Sequence, residues 1–271
     1  MADNRPIGVF DSGLGGLTVM KELIKLLPNE DIVYFGDTGR VPYGTRSSAT
    51  IEKYALQDQK LLLKHDVKLI VAACGTVSSV AKNAARQSTV PYFGVVEHAA
   101  RQAAKVTKNQ KIGVIGTAAT IKSGAHEDHI KEILPNATVI AQCCSLFVPL
   151  VEEGWVSKDN LAVYDTAKRY LEPIKQAGVD TLILGCTHYP LLKDVIASIM
   201  GEDVTLINMG EATALAVAEY IKSNSLSTAK QTADYRFMVT DKTASFTKTA
   251  SMLMGQNVES ENIELVDIDK L

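Results

Sequence analysis

Short apolar runs rich in β-branched residues alternate along most of the chain with longer stretches of helical period. The runs "IGVF" (7–10), "DIVYFG" (31–36), "KLIVAA" (68–73), "PYFGVV" (91–96), "KIGVIG" (111–116), "ATVIAQ" (137–142), "DTLILG" (180–185) and "VTLIN" (204–208) read as strands. Between them, "GLTVMKELIKLL" (16–27) and "NLAVYDTAKRYLEPIKQA" (160–177) repeat apolar residues at helical spacing. A further helix reads over "GEATALAVAEYI" (210–221), while the tail containing "YRFMVT" (235–240) has no assigned place. Such alternation predicts an α/β fold with mainly parallel sheets.

The pattern also repeats itself. "IGVFDSGLGGLTV" starts at Ile7 and "IGVIGTAATIKSG" at Ile112, 105 residues apart, while Cys74 and Cys186 stand 112 apart. A strand–polar loop–helix unit and a strand–Cys–Thr–helix unit thus recur in one order at nearly one distance. Tandem duplication of a domain of about 100 residues, within the usual domain size, accounts for both offsets. The expected layout is two pseudo-symmetric α/β domains. The first is discontinuous, 1–98 with 209–271, because the tail is expected to return to it; the second spans 99–208. No glycine- or proline-rich linker separates them. Ligands of parallel α/β sheets bind beyond the carboxyl ends of the strands, and the distinctive polar motifs all lie there. Two such ends facing one another predict an active site in the cleft between the domains.

Composition narrows the function without choosing it. The 271 residues are 46% hydrophobic with a formal charge of −3. That length suits a sizeable core, and the near-neutral balance lacks the basic footprint of a nucleic-acid binder. No apolar run approaches the roughly 20 residues of a membrane span, and "MADNRPIGVF" lacks the regions of a signal peptide. A soluble protein is expected, cytoplasmic if it is bacterial, with a small-molecule substrate and with neither nucleic acid nor membrane as partner. Four cysteines without a CxxC pair argue against a disulfide framework and a structural metal.

Each motif has a plain reading beside a chemical one. In "FDSGLGGLTV" (10–19), Gly13, Gly15 and Gly16 permit a tight turn with free N–H groups, and "GLGGLT" approaches the dinucleotide fingerprint, with Asp37 about 20 residues on. Thr18 replaces the third glycine, however, and Asp11 would repel a pyrophosphate. Asp11 and Ser12 are otherwise helix caps, or lie near a reacting group. "RVPYG" (40–44) is a turn in which Tyr43 and Gly44 offer a hydroxyl or a backbone N–H to a ligand carboxylate. Cys74 or Cys186 alone reads as a small buried hydrophobe. As a pair at strand-to-helix junctions, with Thr76, Thr187 and His188 beside them, they read as reactive thiols. A helix N-terminus is expected to favour their thiolates, with His188 assisting proton movement at Cys186. Cys143 and Cys144 read as structural. Glu152 and Glu153, in the apolar "FVPLVEEGWV" (147–156), include one candidate cleft residue.

With "DSGLGGLTV", "YFGDTGRVPYG", "AACGT" and "GCTHYPLL" in this order, the chain resembles the cofactor-independent glutamate racemases from Ile7 to Asn208. The resemblance implies two α/β domains around one site, two thiols as acid/base catalysts, no cofactor, and D-glutamate supply for bacterial peptidoglycan. By motif it implies Cys74 and Cys186 as the bases, assisted by Asp11 and His188, with Glu152 or Glu153 as a further acid. Ser12, Tyr43, Gly44, Gly75, Thr76, Thr117 and Thr187 become substrate contacts, with Asp11 and His188 also bordering the substrate. A homodimer is the expected assembly. Position 75 departs from the family pattern, being Gly75 where asparagine is usual, so one polar anchor is expected to be missing. That departure admits an aspartate or broad-specificity racemase, or a catalytically silent binder of acidic amino acids. The glycine loop admits a nucleotide-dependent oxidoreductase.

Overall fold

The computed structural model describes residues 2–242, 246–259 and 263–270. Among these residues, ten strands form two sheets. β1 (Ile7–Asp11), β2 (Ile32–Gly36), β3 (Leu69–Ala72) and β4 (Tyr92–Gly94) belong to the first, β5 (Lys111–Gly116), β6 (Thr138–Cys143), β7 (Thr181–Leu184) and β8 (Thr205–Asn208) to the second, and β9 (Tyr235–Val239) and β10 (Ile263–Leu265) return to the first. The orders are β10-β9-β2-β1-β3-β4 and β6-β5-β7-β8. Every pairing is parallel.

Omitting β9 and β10, the two orders are the same: second, first, third, fourth strand of each half. β1 corresponds to β5 and β3 to β7, so Cys74 and Cys186 each follow the third strand of their own sheet. The two domains are therefore pseudo-symmetric in strand order as well as in sequence offset. All eight apolar runs form strands, because strands covered on both faces need apolar residues throughout. β1, β3 and β7 are buried end to end, whereas the edge strand β6 is partly exposed.

Local sequence sets the helices between them. Leu17, Met20 and Leu23 of the helix Leu17–Leu26 are buried on one stripe. Asn160 starts the helix Leu161–Gln176 by accepting the N–H groups of Ala162 and Val163, and Asn208 starts Met209–Ser223 by accepting that of Gly210. The chain passes from the first sheet to the second through the continuous helix Val95–Val106, so position 98/99 falls inside a helix. It passes back through Met209–Ser223, which lies against both Leu17–Leu26 and Val95–Val106. "YRFMVT" becomes β9, pairing with β2. No described helix is long and apolar enough to cross a membrane.

Candidate active site

The carboxyl ends of β1, β3, β5 and β7 converge. Asp11 is the last residue of β1, buried so that its carboxylate turns back to accept the Gly13 N–H at 2.9 Å. Gly16 N–H also reaches it. This answers the nucleotide reading: the loop N–H groups that would hold a pyrophosphate already serve Asp11. The loop carbonyl of Gly13 accepts the Tyr34 hydroxyl at 2.9 Å.

Cys74 follows β3 as the residue before the helix Gly75–Val80, and its thiol donates to Ser12 Oγ at 3.4 Å. Burial pushes this thiol up to about 12, Asp11 adds to the rise, and N–H contacts from Val77 and Ser12 oppose it. The expectation that a helix start would favour the thiolate is thus corrected at Cys74, because desolvation of the anion outweighs the N–H groups of one short helix. Burial likewise raises the Asp11 carboxyl, with the His188 charge pulling the other way.

Across from this, Cys186 Sγ lies 3.8 Å from His188 Nδ1. The other ring nitrogen, Nε2, lies 3.2 Å from Glu152 Oε1, an ion pair without in-line hydrogen-bond geometry. Burial disfavours charge on the imidazole, but Cys186 and Glu152 outweigh it and hold His188 at about 10. Of the two glutamates, Glu152 is thus the one at His188; Glu153 is where the helix Phe147–Glu152 ends.

The two ends are laced together. Thr76 and Thr117 hydroxyls lie 3.0 Å apart, the first at the end of the first sheet and the second after β5. Thr18 Oγ1 donates to the Thr187 carbonyl at 2.8 Å. Gly15 presses on Thr187 and His188: a Cβ there would fall 2.4 Å from Thr187 Oγ1 and 2.5 Å from His188 Nδ1. Gly44 faces Thr117, 2.9 Å from a built Cβ to Thr117 Cβ. With Asp11 at 1% exposure, Cys74 at 5%, Cys186 at 7% and His188 at 8%, water is largely excluded, which strengthens every charge interaction inside.

Two expectations change. The Tyr43 hydroxyl is committed to Asp37, with Asp58 on its other side, so the hydroxyl is not available to a ligand and the expectation narrows to the backbone N–H. Gly75 is not a site with a missing side chain: a Cβ there would lie 2.4 Å from the Gly185 carbonyl oxygen and 3.3 Å from Met209 Cε. The residue after one cysteine and the residue before the other are in backbone contact, and that contact requires glycine. Sequence reasoning passed over Thr18, whose only signal was its misfit in a glycine fingerprint, and Asp58, which had none.

The arrangement presents two thiols, each with a separate proton-handling partner, on equivalent strands of two domains. The sequence profile of Asp/Glu/Hydantoin racemases matches residues 7–218. A glutamate racemase of Geobacter metallireducens is 48% identical over 254 residues, 93% of either chain. The structure of glutamate racemase from Francisella tularensis, in complex with D-glutamate, superposes with a TM-score of 0.92 at 40% identity, covering 99% of this chain and 100% of that one. The Thermus thermophilus glutamate racemase, in complex with β-chloro-D-alanine, gives 0.89 at 41% identity, with both chains fully covered.

Proposed function

The chain belongs to the Asp/Glu/hydantoin racemase family, and from that premise we propose that it interconverts L- and D-glutamate by two proton transfers at Cα. The observation that carries the reading is the pairing of Cys74 with Ser12 and Asp11 at one strand end, and of Cys186 with His188 and Glu152 at its pseudo-symmetric counterpart.

Inverting a tetrahedral carbon requires removing a proton from one face and delivering one to the other. Two opposed thiols divide that work. Cys74, held protonated by burial and by Asp11, starts as the acid on its face. Cys186 acts as base on the other, with the His188 imidazolium beside it to hold or pass on a proton. After one turnover the pattern is reversed: Cys74 has given up its proton, and Asp11 is the carboxyl beside it through which it exchanges. Hydroxyls of Ser12, Thr76, Thr117 and Thr187, with the N–H groups of Tyr43 and Gly44, hold the substrate carboxylates. Donors aimed at the α-carboxylate also stabilise the charge that develops when Cα loses its proton. No cofactor enters this scheme.

The residue ranges 1–98 with 209–271, and 99–208, are assigned to the two domains, supported by the sheet to which each strand belongs. The same reading carries D-glutamate supply for peptidoglycan, a cytoplasmic setting and a homodimer, the last tested by sedimentation of the full chain.

The test is isotope exchange in heavy water, with chelator and without pyridoxal phosphate. Cys74→Ser and Cys186→Ser should each lose racemisation. Each should still wash deuterium into Cα of one enantiomer with retention, and the two variants should select opposite enantiomers. Cys143→Ser and Cys144→Ser should leave both reactions nearly intact. Wild-type racemisation by either of the first two variants, or exchange of the same enantiomer by both, sinks the two-thiol reading.

A further inference from the structure

Beneath the loop that carries Tyr43 and Gly44 lies a buried polar cluster outside the thiol machinery. Asp37 and Asp58 are both fully buried. Arg40 reaches both, Nε to Asp37 Oδ2 at 2.6 Å and Nη2 to Asp58 Oδ1 at 3.1 Å. Its Nη1 donates to Gln57 Oε1 at 2.6 Å, and its guanidinium lies 4.0 Å over the Tyr54 ring. The remaining Asp37 oxygen, Oδ1, accepts from Thr240 Oγ1 at 2.9 Å, and the same hydroxyl oxygen accepts Gly39 N–H at 2.8 Å. The Tyr43 hydroxyl sits between the two carboxyls, in a short contact with Asp37 Oδ2 and 3.2 Å from Asp58 Oδ2.

Counting hydrogens decides the state of this cluster. A phenol has one hydrogen, and it goes to Asp37, which the Arg40 guanidinium and the Thr240 hydroxyl already serve as an anion. The Asp58 oxygen facing the same phenol would then be a second acceptor pressed on an acceptor, unless it brings a hydrogen of its own. As a carboxylic acid, Asp58 donates from Oδ2 to Tyr43 and accepts from Arg40 on Oδ1, so each of the four carboxyl oxygens has a partner. One cation and one anion remain, which is what a dry site tolerates. Burial, reinforced by the Asp37 charge, pushes the Asp58 carboxyl up in the required direction.

We propose that Asp58, as a neutral carboxylic acid, is a positioning residue for the racemisation site: it locks the Tyr43 phenol and so fixes the Tyr43–Gly44 backbone opposite Thr117, where a substrate carboxylate binds. The proposal rests on the reading that this backbone holds substrate. Its distinguishing feature is that the position needs a donor and an acceptor, not a charge.

An amide supplies the same pair. Asp58→Asn should therefore keep KM and kcat within about twofold of wild type, whereas Asp58→Ala, which strands Tyr43 and Arg40, should raise KM about tenfold with a smaller change in kcat. Tyr43→Phe should reproduce the alanine phenotype, which keeps the question answerable if Asp58→Ala does not fold. Infrared spectra of wild type in D2O should contain a protonated-carboxyl C=O stretch that Asp58→Asn removes. Gly44→Ala, whose Cβ meets Thr117, reports on the loop itself and should also raise KM. If Asp58→Asn is as damaged as Asp58→Ala, or the infrared band is unchanged, the neutral-acid assignment is overturned. If Gly44→Ala raises KM while Asp58→Ala and Tyr43→Phe do not, positioning fails although the loop contact stands. If Gly44→Ala leaves KM unaltered, the substrate-loop reading falls and the proposal falls with it.

Discussion

Placing a side chain at Gly75 should harm this enzyme, the asparagine expected there from the family resemblance included. The built Cβ lies 2.4 Å from the Gly185 carbonyl oxygen, and ordinary contact begins at 3.4 Å. The two strand ends must therefore part by about 1 Å, because neither partner is a side chain that can swing away. Cys74 and Cys186 are the immediate chain neighbours of these two residues, so the displacement falls on the spacing between the thiols. A misplacement of about 1 Å at a reacting centre costs on the order of 10²-fold in rate, or roughly 2.7 kcal/mol of barrier. Since the first carbon of the side chain causes the clash, Gly75→Ala and Gly75→Asn should both lose about that factor in kcat. KM should change less, because the hydroxyls that hold the carboxylates stay with their own strands. Circular dichroism of L-glutamate solutions follows the reaction continuously in both directions, and thermal denaturation of each variant separates lost activity from lost folding. A Gly75→Asn variant with unchanged kcat and a lower KM would refute the steric argument and restore the idea of an absent anchor.

Further expectations concern charge. His188, held at about 10 by Cys186 and Glu152 against burial, is protonated through neutrality and loses its proton as pH rises through that value. kcat/KM should therefore carry an alkaline limb near pH 10 that is absent in His188→Asn; a limb unchanged in that variant removes His188 from proton handling. By linkage, a raised folded value means that the contribution of this group to stability is intact below its ordinary value of 6.5 and is lost as pH climbs through about 10. Elsewhere, Lys68 Nζ is enclosed by Glu30 Oε2 at 2.5 Å and by the carbonyls of Asp3 and Leu226, each at 2.9 Å. Lys68→Ala would strand the buried Glu30 and should cost about 3–5 kcal/mol in urea denaturation, with much of it recovered by Lys68→Met combined with Glu30→Met. A loss below about 1 kcal/mol for the single variant, the level of an exposed pair, would contradict the buried-charge account.

The strands were legible because a parallel strand covered on both faces must be apolar along its length, and β1, β3 and β7 are. The three-residue β10, two of its residues exposed and one of those Glu264, offers no such run. Cys74 and Cys186 stood out because two strand ends repeat 112 residues apart, whereas Asp11 and His188 were marked by their place beside those ends, which the fold brings together. Asp58 and Thr240 gave no local sign. Thr240 is 203 residues from the Asp37 it serves, and Asp58 lies in the helix Ser48–Leu63, outside every motif the sequence presents. The packing of Gly75 on Gly185 was invisible for a related reason: an omitted side chain in a sequence does not say whether it left a gap or made way for a neighbour.

Identical strand order in the two sheets bears on what such a catalyst can favour. L- and D-glutamate have equal free energy in water, and both reach the same intermediate in the same site. The measured kcat/KM values in the two directions must therefore be equal, whatever surrounds each thiol. The halves are alike in strand order but not in partners: a carboxyl attends Cys74, and an imidazole with a glutamate attends Cys186. That inequality can appear only as a proportional change in kcat and KM together, one hand of the substrate binding more weakly and turning over faster. The shared strand order presents two equivalent faces, and under the two-thiol reading the unlike residues behind them set how tightly each hand is held without ever tilting the equilibrium.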